Sequence, residues 1–136
     1  MIKLFRPSRG CTLLMPNTGP TKDPSRSHLF VILTNPCSNG DNLIVPVCSA
    51  TGRHDNTCLI GPGDHDFFKH LSFVFYAQMS CANGEKIRKE VIEGNFTYMG
   101  VLEEKIFARV CAGVASSVYS ARKYIQYFKL QSKNPA

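Results

Sequence analysis

The sequence lacks the segments that would direct a chain into or across a membrane. No apolar run approaches the ~20 residues that a membrane-spanning helix needs. Residues 1–10, MIKLFRPSRG, carry basic side chains but no apolar stretch of the kind found in a secretory signal. We therefore expect a cytoplasmic protein with no membrane partner.

Several motifs of catalysis and cofactor binding are missing as well. The chain has no GxSxG nucleophile motif, glycine-rich phosphate loop, dinucleotide fingerprint or kinase motif. It also has no CxxC pair among its six cysteines. Because an export signal is absent too, and Cys11, Cys48 and Cys111 lie in apolar stretches, we expect reduced thiols rather than disulfides. No cofactor is expected.

What is present is the composition of one globular domain over residues 1–136. Apolar residues make up 43% of the chain, and the formal net charge is +6, from 16 basic and 10 acidic side chains. The basic residues are scattered along the chain and form no dense tract. The charge is therefore compatible with a polyanionic partner but is not by itself a sign of one.

The first half of the chain, residues 10–80, has the pattern of a β-structure. Short apolar or alternating runs are separated by loops rich in proline, glycine and asparagine, and Pro46 inside one run predicts an edge strand or a bulge. Such short strands at close spacing indicate a small, strongly curved sheet or partly closed barrel. The five predicted strands are residues 11–15, 28–34, 43–49, 58–60 and 71–77.

The second half, residues 83–131, has helical spacing. Residues 83–94 predict a short charged helix, and apolar residues recur every three or four positions from Val101 onward. This longer pattern fits one helix or two, and we favour a break near residues 113–117, where glycine and serine are poor helix formers. The fold class is therefore α+β, with C-terminal helices packed on the curved sheet.

The segment GDHDFFKHLSF, residues 63–73, concentrates Asp64, His65, Asp66 and His70. The five-residue spacing of the two histidines matches no usual zinc pattern, so we expect no metal and interpret the aspartates as caps of a polar turn. A metal-dependent hydrolase remains a minor alternative.

The cysteines and histidines of the chain also allow the hypothesis of a thiol hydrolase. Cys48 or Cys58 would be the nucleophile and His54 or His65 the base. This reading is disfavoured, because these cysteines have the sequence context of core residues.

Metal-free RNA cleavage is a third possibility. It requires a base for the 2′-hydroxyl, a cation for the phosphate and an acid for the leaving oxygen. The segment SRSH places Arg26 and His28 on one face of a strand start, and SATGRHD offers Ser49, Thr51 and Arg53 in one loop. Three tyrosines at the end of the chain could stack bases, although packing explains them better: Tyr119, Tyr124 and Tyr127.

The order HLFVILT, NLIVPVCS and DNTCLIGPGDHDFFKHLSFVFY resembles a divergent branch of the PemK/MazF-like toxins of type II toxin–antitoxin systems. The resemblance covers roughly residues 10–118, and GDHDFFKHLSFVFY is its most specific part. It implies an SH3-like barrel over residues 11–77 with C-terminal helices, usually as a homodimer. It also implies a metal-independent endoribonuclease that inhibits growth or translation and is held inactive by an acidic antitoxin.

The resemblance also bears on individual positions. Arg26 matches the family arginine, whereas Cys48 stands where the family has threonine and Ser49 where it has serine. The predicted catalytic residues are accordingly His28, Arg26 and Ser49, and His65 is expected to share the groove of His28. The predicted RNA-binding residues are Arg53, Thr51, His65, His70 and Ser72. The alternative function is a non-catalytic barrel that binds a peptide or nucleic acid.

Overall fold

The computed structural model describes residues 5–16 and 27–133. Within them the chain forms seven strands and three helices, which confirms the α+β class. The strands are β1 (Cys11–Pro16), β2 (Ser27–Ile32), β3 (Asp41–Ser49), β4 (Leu59–Ile60), β5 (Ser72–Val74), β6 (Ser80–Asn83) and β7 (Thr97–Val101). The helices are α1 (Gly84–Ile92), α2 (Glu104–Ser116) and α3 (Arg122–Lys133), and a 3₁₀ turn spans Tyr76–Gln78.

The strands form one curled antiparallel sheet, a half-barrel with the order β4-β5-β3-β2-β1-β7. Strand β6 lies outside this order and pairs with the first half of β3. The loop after β4 reaches toward the opposite edge strand, where His65 Nε2 donates a hydrogen bond to the Met99 carbonyl at 3.1 Å. This contact links the two edges of the half-barrel across its open side.

Side-chain alternation along each strand builds one core on either face of the sheet. On the inner face, Leu29, Val45 and Val74 pack against α2, which enters the curve through buried residues. On the outer face, Leu13, Phe30 and Ile44 pack against α1 through Ile87 and Val91. The α2 residues of the inner core are Ile106, Phe107, Val110 and Val114.

Pro46 was predicted to mark an edge strand or a bulge, and it marks neither. Strand β3 lies inside the sheet between β2 on one side and β5 and β6 on the other, and its register on β2 is regular through Pro46. On that second side β6 pairs with β3 up to Ile44, and β5 begins its pairing at Val47. The Pro46 carbonyl accepts from Phe75 N at 2.9 Å. The missing amide hydrogen therefore falls at the gap between two short strands, where no ladder partner is required.

Strands β6 and β7 were not predicted from the sequence, and the second half of the chain is therefore not entirely helical. Strand β7 lies between α1 and α2. Val101, where the helical pattern was predicted to begin, is the last residue of β7, and α2 begins at Glu104. The predicted break between two helices is confirmed, with residues 117–121 separating α2 from α3. None of the helices within the described residues has the length and apolar character that crossing a bilayer requires.

Tyr76 is the largest fully buried side chain and fixes α2 against the sheet. Its hydroxyl donates to the Val110 carbonyl at 2.6 Å, and its ring lies directly on Gly113. A Cβ atom at position 113 would lie 1.9 Å from the Tyr76 hydroxyl oxygen. The helix can therefore approach this closely only because residue 113 has no side chain.

We predict that Gly113→Ala destabilises the fold by about 1–3 kcal/mol, despite the higher helix propensity of alanine, because the new methyl group overpacks the Tyr76 ring. Ala115→Ser, a one-atom addition at an exposed position of the same helix, should stay within about 0.5 kcal/mol of wild type. Urea unfolding measures both. Equal stability of the two variants would contradict the close approach of α2 to Tyr76.

Candidate functional site

Four side chains form a row across one face of the sheet, at the end of the sheet opposite to α1. His28 at the start of β2 contacts Cys48 near the end of β3, with Nδ1 and Sγ 3.8 Å apart. Cys48 is paired with Phe73 of β5, so alternation puts both side chains on this face. The His54 ring stacks on Phe73, with centroids 5.0 Å apart and planes at 18°.

A pocket of about 600 Å³ opens at the far end of this row. Phe73 and Phe75 form its apolar wall, and Tyr119, which is 60% exposed, stands at its rim. Arg53 and His54 come from the loop between β3 and β4. The pocket therefore combines aromatic surfaces with a cation, a combination suited to a flat, negatively charged ligand.

Asp55 fixes the loop that carries Arg53 and His54. One carboxylate oxygen accepts from the Thr57 amide at 2.9 Å and from the Thr57 hydroxyl, and the other accepts from the Ser117 hydroxyl. Burial by itself would raise the pKa of Asp55, but the hydrogen bonds from Ser117 and Thr57 lower it below its usual value. The β3–β4 loop is thereby tied to the end of α2.

The sequence predicted Ser49 as a catalytic residue together with His28 and Ser72 as an RNA-binding residue, and the structure brings these strand ends to one end of the sheet. Ser49 is directly paired with Ser72, one residue beyond the pair of Cys48 with Phe73. Because successive side chains alternate, Ser49 and Ser72 lie on the face opposite to His28 and Cys48. The prediction that the side chains of His28 and Ser49 converge on one phosphate is therefore wrong, although their strand ends meet at one end of the sheet.

We expected His65 to share a groove with His28, but the structure places it elsewhere. Its Nε2 donates to the Met99 carbonyl at 3.1 Å, and its Nδ1 accepts from Phe67 N at 3.0 Å. It lines a second cavity, of about 590 Å³, which has no lining residue in common with the pocket of Phe73. Both ring nitrogens are engaged by backbone groups, so the imidazole closes the turn onto β7.

Asp64 plays the part of a turn residue that the sequence indicated. One of its oxygens accepts from Gly61 N at 2.9 Å, and the other lies 3.7 Å from an Arg109 guanidinium nitrogen. Arg109 also donates to the Leu59 carbonyl, so α2 supports this turn. Within residues 5–16 and 27–133, no group of three or more His, Cys, Asp or Glu side chains is placed to hold a metal ion.

The remaining predicted residues differ in what can be said of them. Arg26 lies outside the described residues. Thr51, Arg53 and His70 are exposed, and Arg53 alone among these three lines the pocket. Tyr124 and Tyr127 pack against the inner core as favoured from the sequence.

The sequence suggested His54 only as the base of a disfavoured thiol hydrolase, and it did not single out Phe73. Tyr119 was considered as a stacking residue, but packing was favoured, whereas the structure leaves it 60% exposed at the pocket. His54 and Phe73 are 19 positions apart, and Tyr119 belongs to the α2–α3 connection, so no local pattern joins them. The contact of His28 with Cys48 depends on the register of β2 on β3. This register cannot be derived from the sequence, because the loop between the two strands has an irregular length. No short-range sequence signal could have identified this set.

Neither the protein-family models nor the curated proteins that were compared with the chain give a match.

We predict that Ser117→Ala weakens the fold at neutral pH by about 1–2 kcal/mol, because ionised Asp55 loses a hydrogen-bond donor in a buried place. Since the pKa of Asp55 in the folded chain lies below the ordinary 3.8, the stabilisation is present above about pH 4 and is lost as the pH falls through the folded-state value. The variant should therefore lose less stability on acidification than wild type.

Urea unfolding between about pH 3 and pH 7 checks this, a range that spans the usual carboxylate values. Ser116→Ala is the matched control, because Ser116 is exposed and donates only to the Ala112 carbonyl of its own helix. An identical pH profile for both variants would refute the role of the Ser117 contact.

Proposed function

We propose that the chain is a metal-independent endoribonuclease that acts on single-stranded RNA, as the resemblance to the PemK/MazF-like toxins implies. The observation that carries the proposal is the row His28, Cys48, Phe73 and His54, which ends in an aromatic pocket. The formal net charge of +6 supports a polyanionic partner.

His28 performs the proton transfer in this proposal. Imidazole is suited to accept the 2′-hydroxyl proton or to protonate the leaving 5′-oxygen near neutral pH. The 2′-oxygen forms a bond to phosphorus as the bond to the 5′-oxygen breaks, which leaves a 2′,3′-cyclic phosphate. The Cys48 thiol beside Nδ1 holds the ring in place on the sheet.

The pocket next to this row would hold the base that adjoins the cleaved phosphate. Adjacent strands lie about 4.8 Å apart, so β2 and β5 are separated by roughly 10 Å, which is within the reach of one nucleotide. Tyr119 and His54, whose ring lies on buried Phe73, offer ring faces for stacking, and Arg53 offers a guanidinium for a phosphate. Arg26, which lies outside the described residues, and the exposed Thr51 and His70 keep the roles predicted from the sequence. Ser49 and Ser72 face the opposite side of the sheet and are not part of this site.

The finer assignments follow from the same resemblance. We propose that the half-barrel belongs to the SH3-like class, that the chain forms a homodimer, and that an acidic antitoxin occupies the RNA site. The strong curl of the antiparallel sheet supports the first of these. In this proposal the biological effect is inhibition of growth or translation.

The decisive variant is His28→Ala. With purified protein, a short single-stranded RNA and a chelator, wild type should generate 2′,3′-cyclic phosphate ends, and the variant should lower kcat about 10²–10⁴-fold while RNA affinity stays similar. His70→Ala is the matched histidine control, because His70 is exposed and would change affinity rather than kcat. Denaturing gels and end-group analysis measure the cleavage.

RNA binding by wild type without new RNA ends would favour the rival function, a non-catalytic nucleic-acid module on the same surface. Cleavage that continues unchanged in His28→Ala would disprove the role of His28. Cleavage that stops when the chelator is added and returns with a divalent ion would instead favour a metal-dependent hydrolase.

The pocket is tested separately with Tyr119→Ala. Loss of one stacking face should weaken binding of single-stranded RNA by about 10- to 100-fold, since stacking on an aromatic side chain contributes ~1–3 kcal/mol per base. Tyr98→Ala is the control, because Tyr98 is partly exposed on β7 and packs on Phe5 rather than in the pocket. Fluorescence anisotropy that reports equal losses for both variants would place the base elsewhere.

A further inference from the structure

We propose that Cys48 is a reactive thiol activated by His28, a modification site for peroxides and soft carbon electrophiles. The thiol and the imidazole come from neighbouring strands and approach to 3.8 Å. Both side chains are half-buried, so they are held by the sheet and yet open to small reagents. A paired thiol and imidazole is the arrangement in which the thiolate, the reactive form, is favoured.

The oxidation requires only the thiol, the imidazole and one peroxide. The Sγ proton passes to the imidazole, and the thiolate attacks the terminal oxygen of a hydroperoxide. The S–O bond forms as the O–O bond breaks, and the alcohol or water leaves with the proton held by His28. Sulfur loses two electrons and the peroxide gains them, which leaves Cys48 as a sulfenic acid that a thiol reductant restores.

The other cysteines supply comparisons within the same molecule. Cys81 is exposed, and burial of its sulfur followed by the charge of Asp41 raises its pKa, so it represents an accessible thiol without activation. Cys37 is half-buried, and the neighbouring Tyr127 hydroxyl, followed by the backbone of Asp41 and Asn39, lowers its pKa by a route that does not involve His28. Cys11 and Cys58 are 4% and 5% exposed and report whether the fold remains intact.

The first experiment is alkylation of the full chain by iodoacetamide at fixed pH, with the rate at each cysteine followed by mass spectrometry. Cys48 should react at least about tenfold faster than Cys81, in line with thiols paired to a base. In His28→Ala the rate at Cys48 should fall to within about twofold of Cys81, whereas the rate at Cys37 should not change. Tyr127→Phe should slow Cys37 alone.

Two results would overturn the proposal. One is a Cys48 rate no greater than that of Cys81 while Cys11 and Cys58 remain unlabelled, which would mean that a folded chain lacks an activated thiol at this position. The other is a fast Cys48 that stays fast in His28→Ala, which would assign the activation to another group. His28→Gln serves as a second variant if the alanine variant exposes the buried thiols.

A second experiment concerns the consequence for the site and rests on the proposed function. A sulfur-bound oxygen would lie beside His28, in the space where the RNA phosphate is proposed to sit. Hydrogen peroxide should therefore abolish RNA cleavage, dithiothreitol should restore it, and the residual cleavage by Cys48→Ser should not respond to peroxide.

The two arms fail independently of each other. If the chain cleaves no RNA, the proposed function fails, while the alkylation rates still decide whether Cys48 is activated. If Cys48 is oxidised and cleavage by wild type continues undiminished, the inhibitory role is wrong although the thiol is reactive.

Discussion

The fit of Tyr76 against Gly113 holds α2 inside the curled sheet, and the candidate site depends on that fit. Because Tyr76 fixes the position of α2, Ser117 at the C-terminal end of this helix can donate a hydrogen bond to Asp55. Asp55 in turn fixes the loop that lays His54 on Phe73. A contact deep in the inner core thus determines the shape of a pocket on the other face of the sheet.

Strand β3 serves both the core and the site because its side chains alternate between faces. Val45 and Val47 face the inner core, and Ile44 belongs to the outer core beneath α1. Farther along β3, past the part that α1 covers, Cys48 lies on the same outer face of the sheet, next to His28. The site therefore continues a packed surface, which gives its side chains a rigid base while His28 and Cys48 stay half-buried.

The thiol at position 48 determines part of what this surface can do. A threonine would offer a hydroxyl to a phosphate, whereas Cys48 offers a polarizable sulfur that contacts an imidazole. Cleavage of RNA by His28 and modification of Cys48 would use the same contact. One short distance between two strands then links the proposed catalysis to a proposed sensitivity toward oxidants.

Local patterning by itself determined the five strands of the first half, the short charged helix and the break between two C-terminal helices, because each has a signal within about ten residues. The break falls at residues 117–121, whereas Gly113, which was expected to weaken the helix, lies inside α2. It also identified His28 as a polar residue at a strand start and Asp64 as a turn residue. Tertiary structure decided the interior place of β3 despite Pro46, the hydrogen bond of His65 to β7 and the contact of Cys48 with His28. These features depend on strand register and on which edges the curled sheet brings together, and such long-range pairings leave no mark in the spacing of neighbouring residues.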